Sequence, residues 1–460
     1  MHQTRRPILL WFRQDLRLAD NPALTAAVAT GQPIIPLFIL HDASDGRPWG
    51  AASLWWLDKS LRALDADLGA RGSRLILRRG DPAMIVAALA QQLGAELYWN
   101  RLYGPAAVER DSELKAALGA ASFNAALLVE PWRVKSGSGA PYQVFTPFWR
   151  AAEGLIGDAP PQPAPRHVAA PEAWPDSELI DDWGLHPRTP DWSSGFGDWR
   201  PGETGAQARL QAFTAQRLDR YRDARDRPDM DGTSGLSPHL HWGEIGPRQV
   251  RAAIVDAGGP GAAKFIAELG WREFNHHLLH HQGDIARRNI RRDFDRFAWR
   301  EDEAGLEAWK TGRTGYPIVD AGMRQLWATG SMHNRVRMIA ASFLIKHLLI
   351  DWREGEAWFW DTLVDADEAN NPANWQWSAG SGADAQPFFR IFNPVAQGER
   401  FDPEGGYVRR WVPELKDVPA KAIHRPWEIG GVRGYPAPIV DHAQARARAL
   451  EAFGRMRGED

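Results

Sequence analysis

The stretch ANNPANWQWSAGSG, residues 369–382, sets two indoles, Trp375 and Trp377, among three asparagines and a run of glycine and serine. Indoles are mostly packing material, and a loop whose aromatics plug a core is the plain reading of one such pair. Composition leans the other way. Trp supplies 23 of 460 residues while Tyr supplies 7, a bias expected where the indole itself is needed. A second candidate is ELGWREFNHHLLHHQGDIARRNIRR, residues 268–292, where Glu268, Trp271, Arg272 and Asn275 fall at helical spacing and Arg287, Arg288, Arg291 and Arg292 follow. A carboxyl group, an indole face and a nearby basic run are what reading a base, stacking on it and holding phosphate require. His276, His277, His280 and His281 in the same stretch form i, i+4 pairs but no H-E-x-x-H, so they are read as lining a solvated face and no metal site is assigned.

Two further groups suit an anionic, heterocyclic ligand. GTSGLSPHL (232–240) puts hydroxyls and glycines ahead of a helical stretch, where free N–H groups and the helix dipole favour phosphate; Thr233, Ser234 and Ser237 could equally be N-caps. Asp365 and Asp367, on a loop after a helix, and Arg337 upstream could together hold a ring with N–H and C=O edges, or form a buried structural salt bridge.

The elements that must position these residues divide the chain in two. ILLWF (8–12), PIIPLFIL (33–40), RLILRR (74–79), ELYWN (96–100) and ALLVE (126–130) are unalternating apolar runs of strand length, and 51–70, 82–93 and 105–119 carry helical periodicity. That alternation predicts a parallel sheet covered on both faces. No G-x-G-x-x-G follows the first strand, so the dinucleotide fingerprint is missing. Six prolines in DAPPQPAPRHVAAPEAWP (158–175) mark an extended linker. Helical segments follow near 205–226, 247–257, 262–281, 318–328 and 335–350. The expected class is an α/β N-terminal Rossmann-like domain over 1–132, an interdomain linker over 133–198 and an all-α C-terminal domain over 199–460. The net charge of −3 means that a nucleic-acid partner must be met by a local basic patch. With no Cys, disulfides and thiolate chemistry are excluded. No apolar run is long enough for a leader or a membrane span, which predicts a soluble cytoplasmic protein.

GTSGLS, ELGWREF, TGYPIVDAGMRQL, MHNRVRM, DWREGE, NNPANWQW and RIFNPVAQGERFDPEGGYVRRWVPEL, in this order and spacing, resemble the photolyase/cryptochrome family, and most closely its bacterial cyclobutane pyrimidine dimer photolyases of class III. The resemblance runs from residue 7 to about residue 430. It implies an α/β antenna domain and a helical domain holding U-shaped FAD, without a covalent bond, through Tyr221, Thr233, Ser234, Gly235, Leu236, Ser237, Phe265, Arg337, Asp365 and Asp367. It implies repair of UV-damaged DNA by a monomer: the dimer is flipped out of the duplex and split by electron transfer from photoexcited reduced FAD. Trp375, Trp352 and Trp299 match the family's electron-hopping chain, in that order from the flavin outward. Trp377 and Trp271 match the walls of the dimer pocket. Glu268 would hydrogen-bond the dimer, Met338 would pack on it, and Asn371 would face flavin N5. Asn334 stands where (6-4) photolyases carry their catalytic His, which argues for cyclobutane dimers. Arg225 and Arg335 would meet phosphate, with Arg272 and Asn275 also on the DNA side. Ser331 replaces a Trp of many relatives, and YGPAAVERD (103–111) lacks the Asn–Glu pair that contacts folate in the best-known branch. Methenyltetrahydrofolate is the implied antenna, with a deazaflavin second. The alternative function is a cryptochrome-type blue-light photoreceptor, although few residues follow HRPW (424–427) to form a signalling tail.

Overall fold

Strands that bury both faces read as continuous apolar runs, and β1 (Ile8–Phe12) and β2 (Ile34–Leu40) are buried at every residue. In the structure, a computed structural model that describes residues 6–41, 47–187, 190–385 and 387–458, they pair in parallel with Ile8 opposite Ile34. With β3 (Ile76–Arg79), β4 (Glu96–Asn100) and β5 (Ala121–Phe123) they make a parallel sheet of order β3-β2-β1-β4-β5. The order reverses between β1 and β4, and a ligand crevice is expected there, beyond the carboxyl ends of the strands. That crevice is filled by the chain itself. Arg13 bonds Asp111 and the Asn100 carbonyl, and Asn100 Nδ2 donates to Asp15 Oδ2 at 2.6 Å, all of these residues being buried.

ALLVE is not the fifth strand. Residues 126–130 lie outside the sheet, and the Leu128 and Val129 N–H groups donate to the buried carboxylate of Glu273 at 2.8 and 3.1 Å. Its apolar side chains are buried, Leu127 to 2% exposure. Pattern alone could not separate that environment from a strand.

The helical half is built around a core from Phe294 to Met456 that includes Trp309, Trp352 and Trp375. The Ala51–Gly69 helix joins the halves: its Trp55 meets Phe196 and its Trp56 meets Trp199, edge to face at 5.0 and 5.4 Å. Trp56 Nε1 also donates to the buried Glu244 at 2.9 Å. The segment expected as one helix over 205–226 is two, Glu203–Gln216 and Tyr221–Ala224. Phe145–Glu153, in the middle of the interdomain stretch, is a helix packed on Ala262–Gln282. Among the described residues, no helix is long and apolar enough to cross a membrane.

Candidate functional site

Trp375 and Trp377 do not sit on flexible backbone. They belong to the helix Asn370–Ala379, which starts after a turn in which Asp367 Oδ1 accepts from the Ala369 and Asn370 N–H groups at 2.9 and 2.7 Å. The helix turns Asn371 and Trp375 inward, at 8% and 2% exposure, and leaves Trp377 half-buried on a cleft of about 480 Å³. Met338, Arg335, Arg390, Arg400 and Asp226 share that cleft, so its mouth is mainly cationic. Asn334 opens the neighbouring helix Asn334–Lys346 with its side chain exposed; Arg335, Arg337 and Met338 follow on the first two turns.

The loop ahead of the Asn370–Ala379 helix carries the two candidate carboxylates. Asp365 accepts from both Arg337 Nη2 (3.0 Å) and Ser237 Oγ (2.6 Å), which brings GTSGLS, Arg337 and Asp365 together as expected. Thr233, Ser234 and Gly235 are partly exposed beside it, and Gly235 has φ +62 with an Arg209 nitrogen 2.4 Å from where a Cβ would lie. Leu236 is buried beneath them. Asp367 lies deeper. Burial pushes its carboxyl up, but His276 and His241 nearby outweigh burial and hold it ionised.

The Ala262–Gln282 helix supplies the remaining candidates. Asn275 Nδ2 donates to Asn370 Oδ1 at 2.9 Å and Arg272 to the Ala126 carbonyl at 2.7 Å. Trp271 stacks on Phe145, with centroids 3.9 Å apart and planes 9° apart, so one indole face is already covered. Phe265 packs with Phe213 and Tyr221 in an aromatic cluster. Burial, then the charge of Glu268, pushes the Tyr221 hydroxyl up to about 12. The histidines are not a solvated face. His276 and His277 are buried at 8% and 0%, and burial lowers both to about 4 although Asp367 pulls His276 the other way; they pack on Phe145–Glu153 and the Asp367 loop, while His280 and His281 are half-buried.

Arg225 and Arg335, the candidate phosphate contacts, are engaged within the chain. Arg225 pairs with Glu268 at 3.0 Å and Arg335 with Asp226 at 3.0 Å, while Lys264 holds the other Glu268 oxygen at 2.7 Å. Asp226 carried no motif and was missed by sequence reasoning. So was Glu356, which takes both Asn371 Nδ2 hydrogens, on Oε1 at 2.8 Å and on its carbonyl at 3.1 Å, leaving Asn371 Oδ1 as an acceptor. Several buried polar atoms lack hydrogen-bond partners: Arg335 Nε on the cleft, Arg225 Nε and His333 Nε2, and both nitrogens of His241, which lines a separate pocket with Arg272, His276 and Asp367. Orphaned groups of this kind mark a place where a ligand or water completes the bonding.

Of the three aligned indoles, Trp375 and Trp352 are buried and Trp299 is half-buried against Phe297. Trp352 Nε1 donates to Asn289 Oδ1 at 3.0 Å. Trp375 also meets Phe359 and Trp309 edge to face, at 5.0 and 6.1 Å, two neighbours that sequence reasoning did not single out.

Comparison with known proteins matches two family models, "DNA photolyase" over residues 8–166 and "FAD binding domain of DNA photolyase" over 265–455. The chain is 51% identical to a deoxyribodipyrimidine photo-lyase of Agrobacterium fabrum, covering 98% of each. It superposes on the crystal structure of a bacterial class III photolyase from Agrobacterium tumefaciens with a TM-score of 0.96 at 49% identity, over 100% of this chain and 99% of the other. An archaeal photolyase from Sulfolobus tokodaii, solved with two FAD molecules, matches at a TM-score of 0.85 and 32% identity over 98% and 100%.

Proposed function

The chain belongs to the DNA photolyase family, and on that premise we propose that it repairs UV-damaged DNA as a class III deoxyribodipyrimidine photo-lyase, splitting cyclobutane pyrimidine dimers with light. One observation carries the reading: a single helix holds Asn371 and Trp375 inside the helical domain and Trp377 on the wall of a cleft with a cationic mouth.

The residues fit FAD. Arg337 and Asp365 offer a donor and an acceptor side by side, and Asn371 offers an amide oxygen whose direction is fixed by Glu356. The Thr233, Ser234 and Ser237 hydroxyls suit its phosphates. Bound FAD supplies light-driven electron donation. The chain supplies the rest: Asn371 Oδ1 accepts a ring N–H, Met338 and Trp377 pack the flipped-out dimer against the cleft, and Glu268 accepts from its polar edge. Arg335 and Arg225 draw in phosphate, which requires them to loosen from Asp226 and Glu268. The purified protein is expected yellow or blue, with one FAD per chain released by denaturation, and attachment through a Cys is excluded. A folded, colourless protein that takes up no flavin contradicts this.

Glu268→Ala should lower repair per absorbed photon at unchanged FAD content, and Trp271→Ala should weaken binding of a dimer-containing oligonucleotide by roughly 1–3 kcal/mol through lost stacking. Binding should also weaken with added salt, because DNA affinity comes from a local patch that displaces counterions. If Trp271→Ala sheds FAD or unfolds the protein while Glu268→Ala repairs normally, Trp271 and Phe145 are core packing and the dimer pocket lies elsewhere.

The second chromophore in this reading is methenyltetrahydrofolate, with a deazaflavin as alternative, bound between the domains. Arg13, Asp15 and Asn100 occupy the sheet's own crevice, whereas Trp132, 38% exposed, tilts against Tyr103 and His280 at 5.9 and 5.6 Å and offers a stacking surface. A near-UV band that yields a pterin on denaturation supports the folate; a deazaflavin spectrum, or no second chromophore after folate reconstitution, contradicts it. The protein works as a cytoplasmic monomer in this account.

A further inference from the structure

We propose that Arg47, contributed by the α/β domain, is a positioning residue for the flavin: acting through the Glu356 carboxylate, it fixes which end of the Asn371 amide faces the cofactor. The inference rests on the reading that Asn371 faces flavin N5.

Arg47 and Glu356 lie 309 residues apart and meet as a two-pronged pair, Nη1 to Oε1 at 2.8 Å and Nη2 to Oε2 at 2.9 Å. The arginine is held in place from behind. Its guanidinium lies 4.2 Å over the Trp360 ring, whose Nε1 donates to the Pro48 carbonyl at 2.8 Å. Ala51 N–H donates to Asp361 Oδ1 at 2.9 Å, and at Gly50 a Cβ would stand 2.0 Å from the Trp360 oxygen, so nothing larger allows this approach. Glu356 is 2% exposed. Burial pushes its carboxyl up, with Asp284 adding to the push, and the bonds from Arg47 and Asn371 act against it.

The consequence for Asn371 follows from donor and acceptor inventory. An ionised carboxylate only accepts, so it must be offered the Asn371 NH₂ group, and the amide oxygen then points the other way. A protonated Glu356 could donate to that oxygen, leaving only the Glu356 main-chain carbonyl, 3.1 Å from Nδ2, to oppose turning the amide over. An oxygen toward N5 accepts from the N–H of a reduced ring; an NH₂ toward N5 suits the unprotonated, oxidised ring instead. Arg47 thus selects the orientation that favours reduced flavin, and it does so from a different domain.

The test is the midpoint potential of bound flavin in Arg47→Gln, measured with FAD content and melting temperature. The expected result is a roughly tenfold loss of preference for the reduced ring, which reads as about 30 mV more negative for a two-electron couple. Arg47→Lys, which keeps the charge but not the fork, should recover part of the shift. In a Glu356→Gln background, Arg47→Gln should add nothing, because the pathway is already cut. An unchanged potential in folded, FAD-loaded Arg47→Gln overturns the proposal, and so does an undiminished shift in the Glu356→Gln background. Should Arg47→Gln not fold, Arg47→Lys decides: an intermediate shift supports the proposal and none overturns it. Failure of the unsubstituted protein to take up FAD would overturn the functional reading beneath it instead.

Discussion

Trp375→Phe should reduce photoreduction of bound, oxidised FAD in the presence of an external reductant to background, while repair by chemically pre-reduced protein stays largely intact. Trp375 and Trp352 are buried in the helical core at 2% and 0% exposure and Trp299 is half-buried on it, and the proposed reading takes the electron through them in that order. Indole suits electron hopping because its π-system can carry a transient radical cation that sheds its N–H proton. Phenylalanine fills most of the space but cannot hold that charge. In the proposed reading repair uses the cleft that Trp377 and Met338 line, so the two electron routes are expected to separate. The measurement is flavin absorbance under blue light beside dimer repair after dithionite reduction. Equal loss of both would mean that one indole serves both routes.

Gly355→Ala should destabilise the protein, against the usual sign for a helix interior. Ala in place of a helical Gly ordinarily gains about 1 kcal/mol. Here, in the helix Trp352–Thr362, the added Cβ would lie 2.1 Å from Trp375 Cη2 and 2.6 Å from Leu344 Cδ2. An overpacked core methyl costs about 1–3 kcal/mol, so the net effect is a lower melting temperature, and Gly355→Val should exaggerate it. Because the displaced group is the first indole of the chain, photoreduction should slow as well. A raised melting temperature with normal photoreduction would show that Trp375 is not clamped by this glycine.

The sheet was legible because buried parallel strands announce themselves as apolar runs, and four of the five expected runs are strands. ALLVE misled because its N–H groups are taken by Glu273, a partner 144 or more residues away that no local pattern displays. The chemistry-bearing motifs were legible as types: a hydroxyl loop, a carboxylate and an arginine do converge, at Ser237, Asp365 and Arg337. What sequence could not display was pairing. Arg225 and Arg335 looked free for phosphate and are held by Glu268 and Asp226, and His276 and His277 looked solvated but are buried, His277 against a helix from the interdomain stretch. Arg47 belongs to no motif and Glu356 only closes DWREGE, with nothing local to mark its partners; folding alone brings them to Asn371.

The central claim is light-driven reversal of pyrimidine dimers. The most direct measurement exposes a UV-irradiated thymine oligonucleotide to the purified, reduced protein under blue light, with a dark control, and quantifies restored thymines. The account predicts restoration in the light, over many dimers per protein molecule, and none in the dark. Dimers that persist in the light, with FAD bound and reduced, would contradict it.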